Sequence, residues 1–226
     1  MPRKTRVALV TGATKGIGYA IGKELLRRIP SLTCFMTSSG RINGLDPDFQ
    51  KALLGMELGA GARERGKFIT MDIREQKVVV QKKEEILREH KGLDILINNA
   101  GIYEKPETDP DAFSEQAKRI IATNYWGTKN VMRAFHESYV DGARIVNITS
   151  NLAHVKSQGT AEHEDLKIRA RARFAKVETF SALDGEIMSF LRDAELGLTK
   201  KEGWPVCAYT ISKMALNRYT RCDFLL

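Results

Sequence analysis

Five short apolar runs recur along the chain, each followed by a polar or glycine-rich turn and an amphipathic stretch. Val7-Ala8-Leu9-Val10 is apolar without alternation, the pattern of a strand buried on both faces, and Thr11-Gly12 ends it. Thr33 to Met36, Lys67 to Asp72, Asp94 to Asn98 and Ala143 to Ile148 are the other strand candidates. Between them the spacing predicts helices at 19–29, from Asp46-Pro47 to Arg65, 75–90, and about 111–139. Ile17, Ala20, Ile21, Leu25 and Ile29 form the apolar stripe of the first. Strands alternating with helices imply right-handed crossovers and an α/β fold with a doubly wound parallel sheet. The alternation stops between about 153 and 205, where Phe174, Phe180, Leu183, Ile187 and Phe190 predict helical pieces of an insert within a single domain. Gly203-Trp204-Pro205 then turns into a helix carrying Tyr209 and Lys213.

The 226 residues can bury a substantial core, and a net charge of +8 favours anionic ligands, phosphates included. The three cysteines, Cys34, Cys207 and Cys222, are scattered without metal-ligand spacing. That argues for a reducing, cytoplasmic setting and against a disulfide framework or metal site. No apolar run reaches the ~18 residues that suggest a membrane span, so no membrane association is expected. Lys167 to Lys176 carries five cations without an acid, but alternate positions spread around a helix. It reads as a solvated helix, and no nucleic-acid partner is expected.

The candidate chemistry lies where strands end. Gly12-x3-Gly16-x-Gly18 joins a strand to a helix, the context in which glycines let a pyrophosphate approach a positive helix N-terminus. Thr37-Ser38-Ser39 closes the second strand with no acid to grip a ribose 2′-hydroxyl, while Lys15 and Arg41 can meet a 2′-phosphate. That favours NADP over NAD. Asn98-Asn99-Ala100-Gly101 ends the fourth strand, where an Asn can tie loops together or contact a ribose. Ser150, after the fifth, can orient a carbonyl oxygen or simply cap a turn. Asn124 sits in a helix that it disfavours, and can hold a water or bond a neighbouring turn. Tyr209 and Lys213, four apart, share a helix face, and an ammonium beside a phenol favours the phenolate needed for acid/base work.

Taken in order, these motifs resemble those of the short-chain dehydrogenases/reductases over about residues 6–220, most closely the monomeric carbonyl reductases. Shared points include Thr14-Lys15-Gly16-Ile17-Gly18, Asp72-Ile73, the long gap between Ser150 and Tyr209, and Lys201-Glu202-Gly203-Trp204-Pro205. The resemblance implies a Rossmann fold and NADPH-dependent reduction of small carbonyl compounds (aldehydes, ketones, quinones), with Tyr209 as proton donor. It further implies that Ser150 positions the carbonyl, that Lys213 holds the ribose and that Asn124 feeds a proton relay. Ile17, Asp72, Ile73 and Asn99 match cofactor contacts, and the insert implies a monomer. Two departures accompany it. Thr37-Ser38-Ser39 replaces a Thr-Ala-Arg triplet, and the sequence given ends before the family's sixth and seventh strands. The fifth strand is therefore expected at an open sheet edge. The alternative reading is a catalytically inactive, truncated form that binds nucleotide or acts by interaction.

Overall fold

A computed structural model describes residues 5–40, 47–153 and 161–221, with the side chains of 47–49 left aside. The described chain gathers into two compact units, 1–100 with 127–148 and 101–126 with 149–226.

In the first unit all five strands form one parallel sheet in the order β3-β2-β1-β4-β5. They are β1 (Arg6–Val10), β2 (Leu32–Ser38), β3 (Gly66–Thr70), β4 (Leu93–Asn98) and β5 (Tyr139–Asn147). The register aligns Val10 with both Met36 and Ile97, and Asn98 with Asn147, so their carboxyl ends share one edge. Order reverses at β1, the switch point where open α/β sheets bind ligands. Val7 to Val10 are fully buried, as their unbroken apolar run implies. β5 forms an outer edge, with Val146 exposed.

Helices α1 (Gly16–Arg28), α2 (Pro47–Leu58) and α3 (Ala60–Arg65) pack on β1 to β3, and α4 (Gln76–Glu89) packs against α6 (Thr128–Phe135). The expected helix from Asp46 to Arg65 is interrupted at Gly59, whose φ of +88° suits glycine and ends α2; Asp46 lies outside the described residues. The stripe of α1 also differs. Ile17 is 65% exposed and Ala20 exposed, while Gly18, Gly22 and Leu26 are buried. Ile21, Leu25 and Ile29 pack on the core as expected, and Gly22 lets the helix approach the sheet, since a Cβ there would clash with Met36 Sδ.

The second unit is helical. α5 (Pro110–Ile121), capped by Asp109 accepting from Ala112 N at 2.9 Å, runs into a π-helical turn, Ala122–Gly127. The stretch expected as one helix to Tyr139 is thus divided into α5, the π turn, α6 and a 3-10 turn, with Tyr139 already in β5. The expected helical insert contains α7 (Ala161–Ala175) and α8 (Phe180–Glu195), and α9 (Ala208–Arg221) follows it. α8 and α9 both pack on α5, and α7 packs on both of them. The Lys167–Lys176 face is not simply solvated. Lys167 is fully buried, and Arg173 reaches Glu186 at 2.9 Å and stacks 4.0 Å over Trp204. Trp204, fully buried, donates its indole N–H to Asp193 at 2.9 Å.

Candidate active site

The first unit places the glycine-rich loop after β1 at the β1–β4 switch point. Gly12 and Gly16 have φ near +60°, a region that L side chains rarely adopt. A Cβ on Gly12 would also lie 2.7 Å from Ala100 Cα, so the two strand-end loops touch backbone to backbone. Hydrogen bonds lace them together. Thr11 Oγ1 accepts from the amides of Asn99 and Ala100, both at 3.0 Å. The Asn99 side chain donates to Thr11 O at 3.0 Å and Gly12 O at 2.9 Å, the loop-tying option of its two. Beyond them, Asn98 donates to the Asn147 side chain at 2.8 Å.

At Gly16 an added Cβ would meet nothing within 4 Å, so space opens over the first turn of α1. That turn carries no acid, and its N-cap residue Lys15 is exposed and makes no side-chain cap bond. Free amide donors, the positive end of a 13-residue helix and a nearby ammonium fit a pyrophosphate. Buried Gln50 fixes the loop from below by donating to Thr14 O at 2.5 Å. Sequence reading missed it, because a lone Gln on an amphipathic helix carries no distinguishing signal.

The end of β2 shows no acid among Thr37, Ser38, Ser39 and Gly40. Thr37 is buried and its carbonyl accepts from Ala13 N at 2.7 Å, leaving Ser39 and Lys15 exposed. Arg41 lies outside the described residues. Past β3, the Asp72 carboxylate is held by Arg74 at 2.6 Å, while Ile73 is buried and its carbonyl accepts from Asn130 at 3.1 Å. Ile17 stands exposed beside the glycines.

The second unit gathers Asn124, Tyr209 and Lys213. On α9 the Lys213 ammonium lies 5.7 Å from the centre of the half-buried Tyr209 ring, and Tyr103 meets that ring edge-on at 5.1 Å. Lys213 is only 4% exposed, and burial pushes its pKa down from 10.5 to about 8. Gly101 makes room for it: a Cβ there would lie 3.6 Å from Lys213 Nζ and 3.1 Å from Asn124 Oδ1.

Asn124, fully buried within the π turn, bonds a neighbouring segment. Its Oδ1 accepts from Ile102 N at 2.8 Å, and its amide donates to Ile102 O at 2.9 Å and Ser212 Oγ at 3.0 Å. Ser212 in turn donates to Tyr209 O at 2.7 Å. A continuous set of bonds therefore runs from Ile102 through Asn124 to the backbone of Tyr209. Ser212 was not singled out by sequence, since a helical serine beside a lysine is commonplace. Ser150 acts as a cap: its Oγ accepts from Leu152 N at 3.2 Å, opening a 3-10 turn, Asn151–Ala153, that packs on α9.

The second unit thus holds a phenol beside a buried amine, a pair suited to moving a proton. The family model for short chain dehydrogenases matches residues 6–163. NADPH carbonyl reductase 1 of Rattus norvegicus is 30% identical over 215 residues, covering 95% of this chain and 72% of the relative. NADPH carbonyl reductase 3 of the same species is 32% identical, covering 96% and 73%. Among solved structures, menthone neomenthol reductase from Mentha piperita superposes with a TM-score of 0.77 at 28% identity, covering 97% of this chain and 84% of its own. The chain belongs to the short-chain dehydrogenase/reductase family of oxidoreductases and, within it, lies close to the carbonyl reductases.

Proposed function

We propose that the chain reduces small carbonyl compounds (aldehydes, ketones or quinones) with NADPH. The observation that carries this reading is the buried Lys213 ammonium beside Tyr209, with Tyr209's backbone anchored through Ser212 to Asn124. When bound, NADPH would supply the hydride. Tyr209 gives its phenolic proton to the carbonyl oxygen as negative charge develops there, with the Lys213 ammonium close by. Ser150 hydrogen-bonds the same oxygen, and Lys213 holds the nicotinamide ribose. Asn124 and Lys213 lie on the route by which a proton returns to Tyr209.

Gly12, Gly16 and Gly18 with the first turn of α1 hold the pyrophosphate, and Ile17, Asp72, Ile73 and Asn99 line the rest of the dinucleotide. NADP is favoured over NAD by the acid-free end of β2 and exposed Lys15, and by the cofactor in the carbonyl reductases' names. Two free, buried thiols, Cys34 and Cys207, support a reducing cytoplasmic setting. The helical insert that packs on α9 supports a monomer.

The test is loss of reduced-nicotinamide absorbance with menadione or 4-nitrobenzaldehyde as acceptor. Turnover by the wild type, abolished by Tyr209→Phe with thermal stability retained, is the expected result. No turnover, together with no thermal stabilisation by NADPH, would overturn the proposal.

A further inference from the structure

A cavity of about 130 Å³ opens between α7 and α9, in the second unit. Pockets that take drug-sized ligands begin at roughly 300 Å³, so its occupant is small. Phe174 and Met214, both buried, give it an apolar floor. Asn217, Arg171, Arg218 and Arg221 supply the polar wall, and among the described residues no carboxylate lines it.

The arginines here differ in how they are engaged. Arg218 donates to Val177 O, from Nε at 2.7 Å and from Nη2. Arg169 and Arg173, also on α7, are occupied by Asp165 at 2.8 Å and Glu186 at 2.9 Å. Arg171 and Arg221 are exposed at the cavity and make no ion pair among the described residues. Two guanidinium forks at the mouth of an apolar recess match a carboxylate, which arginine binds in bidentate fashion. A bare inorganic anion would satisfy the forks but make no contact with the Phe174–Met214 floor.

We propose that this cavity binds a small carboxylate with an apolar body, of the aryl or short acyl type. Its carboxylate pairs with Arg171 and Arg221 and its body rests on Phe174 and Met214. Tyr209 is not among the residues lining the cavity, and the proposal does not depend on the reductase reading.

Titration calorimetry on the full chain with benzoate as probe tests it. Benzoate binds the wild type, and benzyl alcohol, with the ring but no carboxylate, binds at least tenfold more weakly. R171Q/R221Q weakens benzoate at least tenfold, whereas R169Q, on the same helix but paired with Asp165, leaves it unchanged. Failure of benzoate to bind would overturn the proposal, as would equal binding of benzyl alcohol by the wild type. So would a double variant that binds like the wild type, an equal loss in R169Q, or displacement of benzoate by inorganic phosphate at comparable concentration.

Discussion

Replacing Lys213 by Met keeps the aliphatic stem and removes only the buried ammonium. Burial holds that group's pKa at about 8 in the folded chain, against 10.5 ordinarily. A tenfold change in proton affinity corresponds to about 1.4 kcal/mol, so the charged form costs the folded state about 3 kcal/mol. The sign follows from proton counting. Between pH 8 and 10.5 the unfolded lysine keeps its proton and the folded one sheds it, so wild-type stability rises with pH across that window. Below pH 8 both forms are charged and the full cost stands. The stability of Lys213→Met relative to wild type therefore falls by about 3 kcal/mol as pH rises from 7 to 10.5. Urea unfolding of both proteins at intervals from pH 6.5 to 10.5 measures this directly, the difference cancelling titrations common to the two. A difference independent of pH, or one that grows in the variant's favour as pH rises, would refute the argument. A gain in stability alongside lost turnover would mark a lysine retained for chemistry at the expense of the fold.

Gly18→Ala costs more stability than Gly22→Ala. The added methyl at 18 meets Gly12 O at 2.6 Å and Ala13 Cα at 2.9 Å, both backbone, whereas at 22 it meets the yielding Met36 side chain. Expected losses are about 3 and about 1 kcal/mol, and the reverse order in urea midpoints would sink the reasoning. Trp204→Phe removes the indole donor from Asp193, itself 3% exposed, and part of a fully buried ring. Thermal and urea unfolding should show a loss of about 2–4 kcal/mol; a loss under 1 would show that the bond is dispensable. Asn99→Ala removes two bonds to the Thr11–Gly12 loop, and should cost about 1–3 kcal/mol and weaken NADPH-induced thermal stabilisation. An unchanged response to NADPH would detach Asn99 from cofactor binding.

The strands and the glycine turn after β1 were legible because their information is local. An unbroken apolar run such as Val7–Val10 admits few places other than a doubly covered strand, and glycines directly after it specify a backbone that other residues avoid. The stripe of α1 was legible at Ile21, Leu25 and Ile29 but not at its start, because hydrophobicity gives glycine no weight. Gly18 packs on the loops after β1 and β4 and Gly22 on Met36, leaving Ile17 exposed. The π turn was half legible: Asn124 stood out as a poor helix former, but its reason lies in Ile102 and in Ser212, 88 residues away. Trp204 is fully buried, and its partner Asp193 was one acid among many until α8 presented it. The same distinction runs through the candidate site. Tyr209 and Lys213 announce themselves because four residues on a helix is a short-range geometry that the sequence itself prints. What makes Lys213 chemically unusual is burial, and burial is decided by Gly101 and the fold of the second unit rather than by its spacing. A spacing motif can therefore name a phenol and its neighbouring amine. Only the packing around them converts an ordinary ammonium into one that titrates near pH 8.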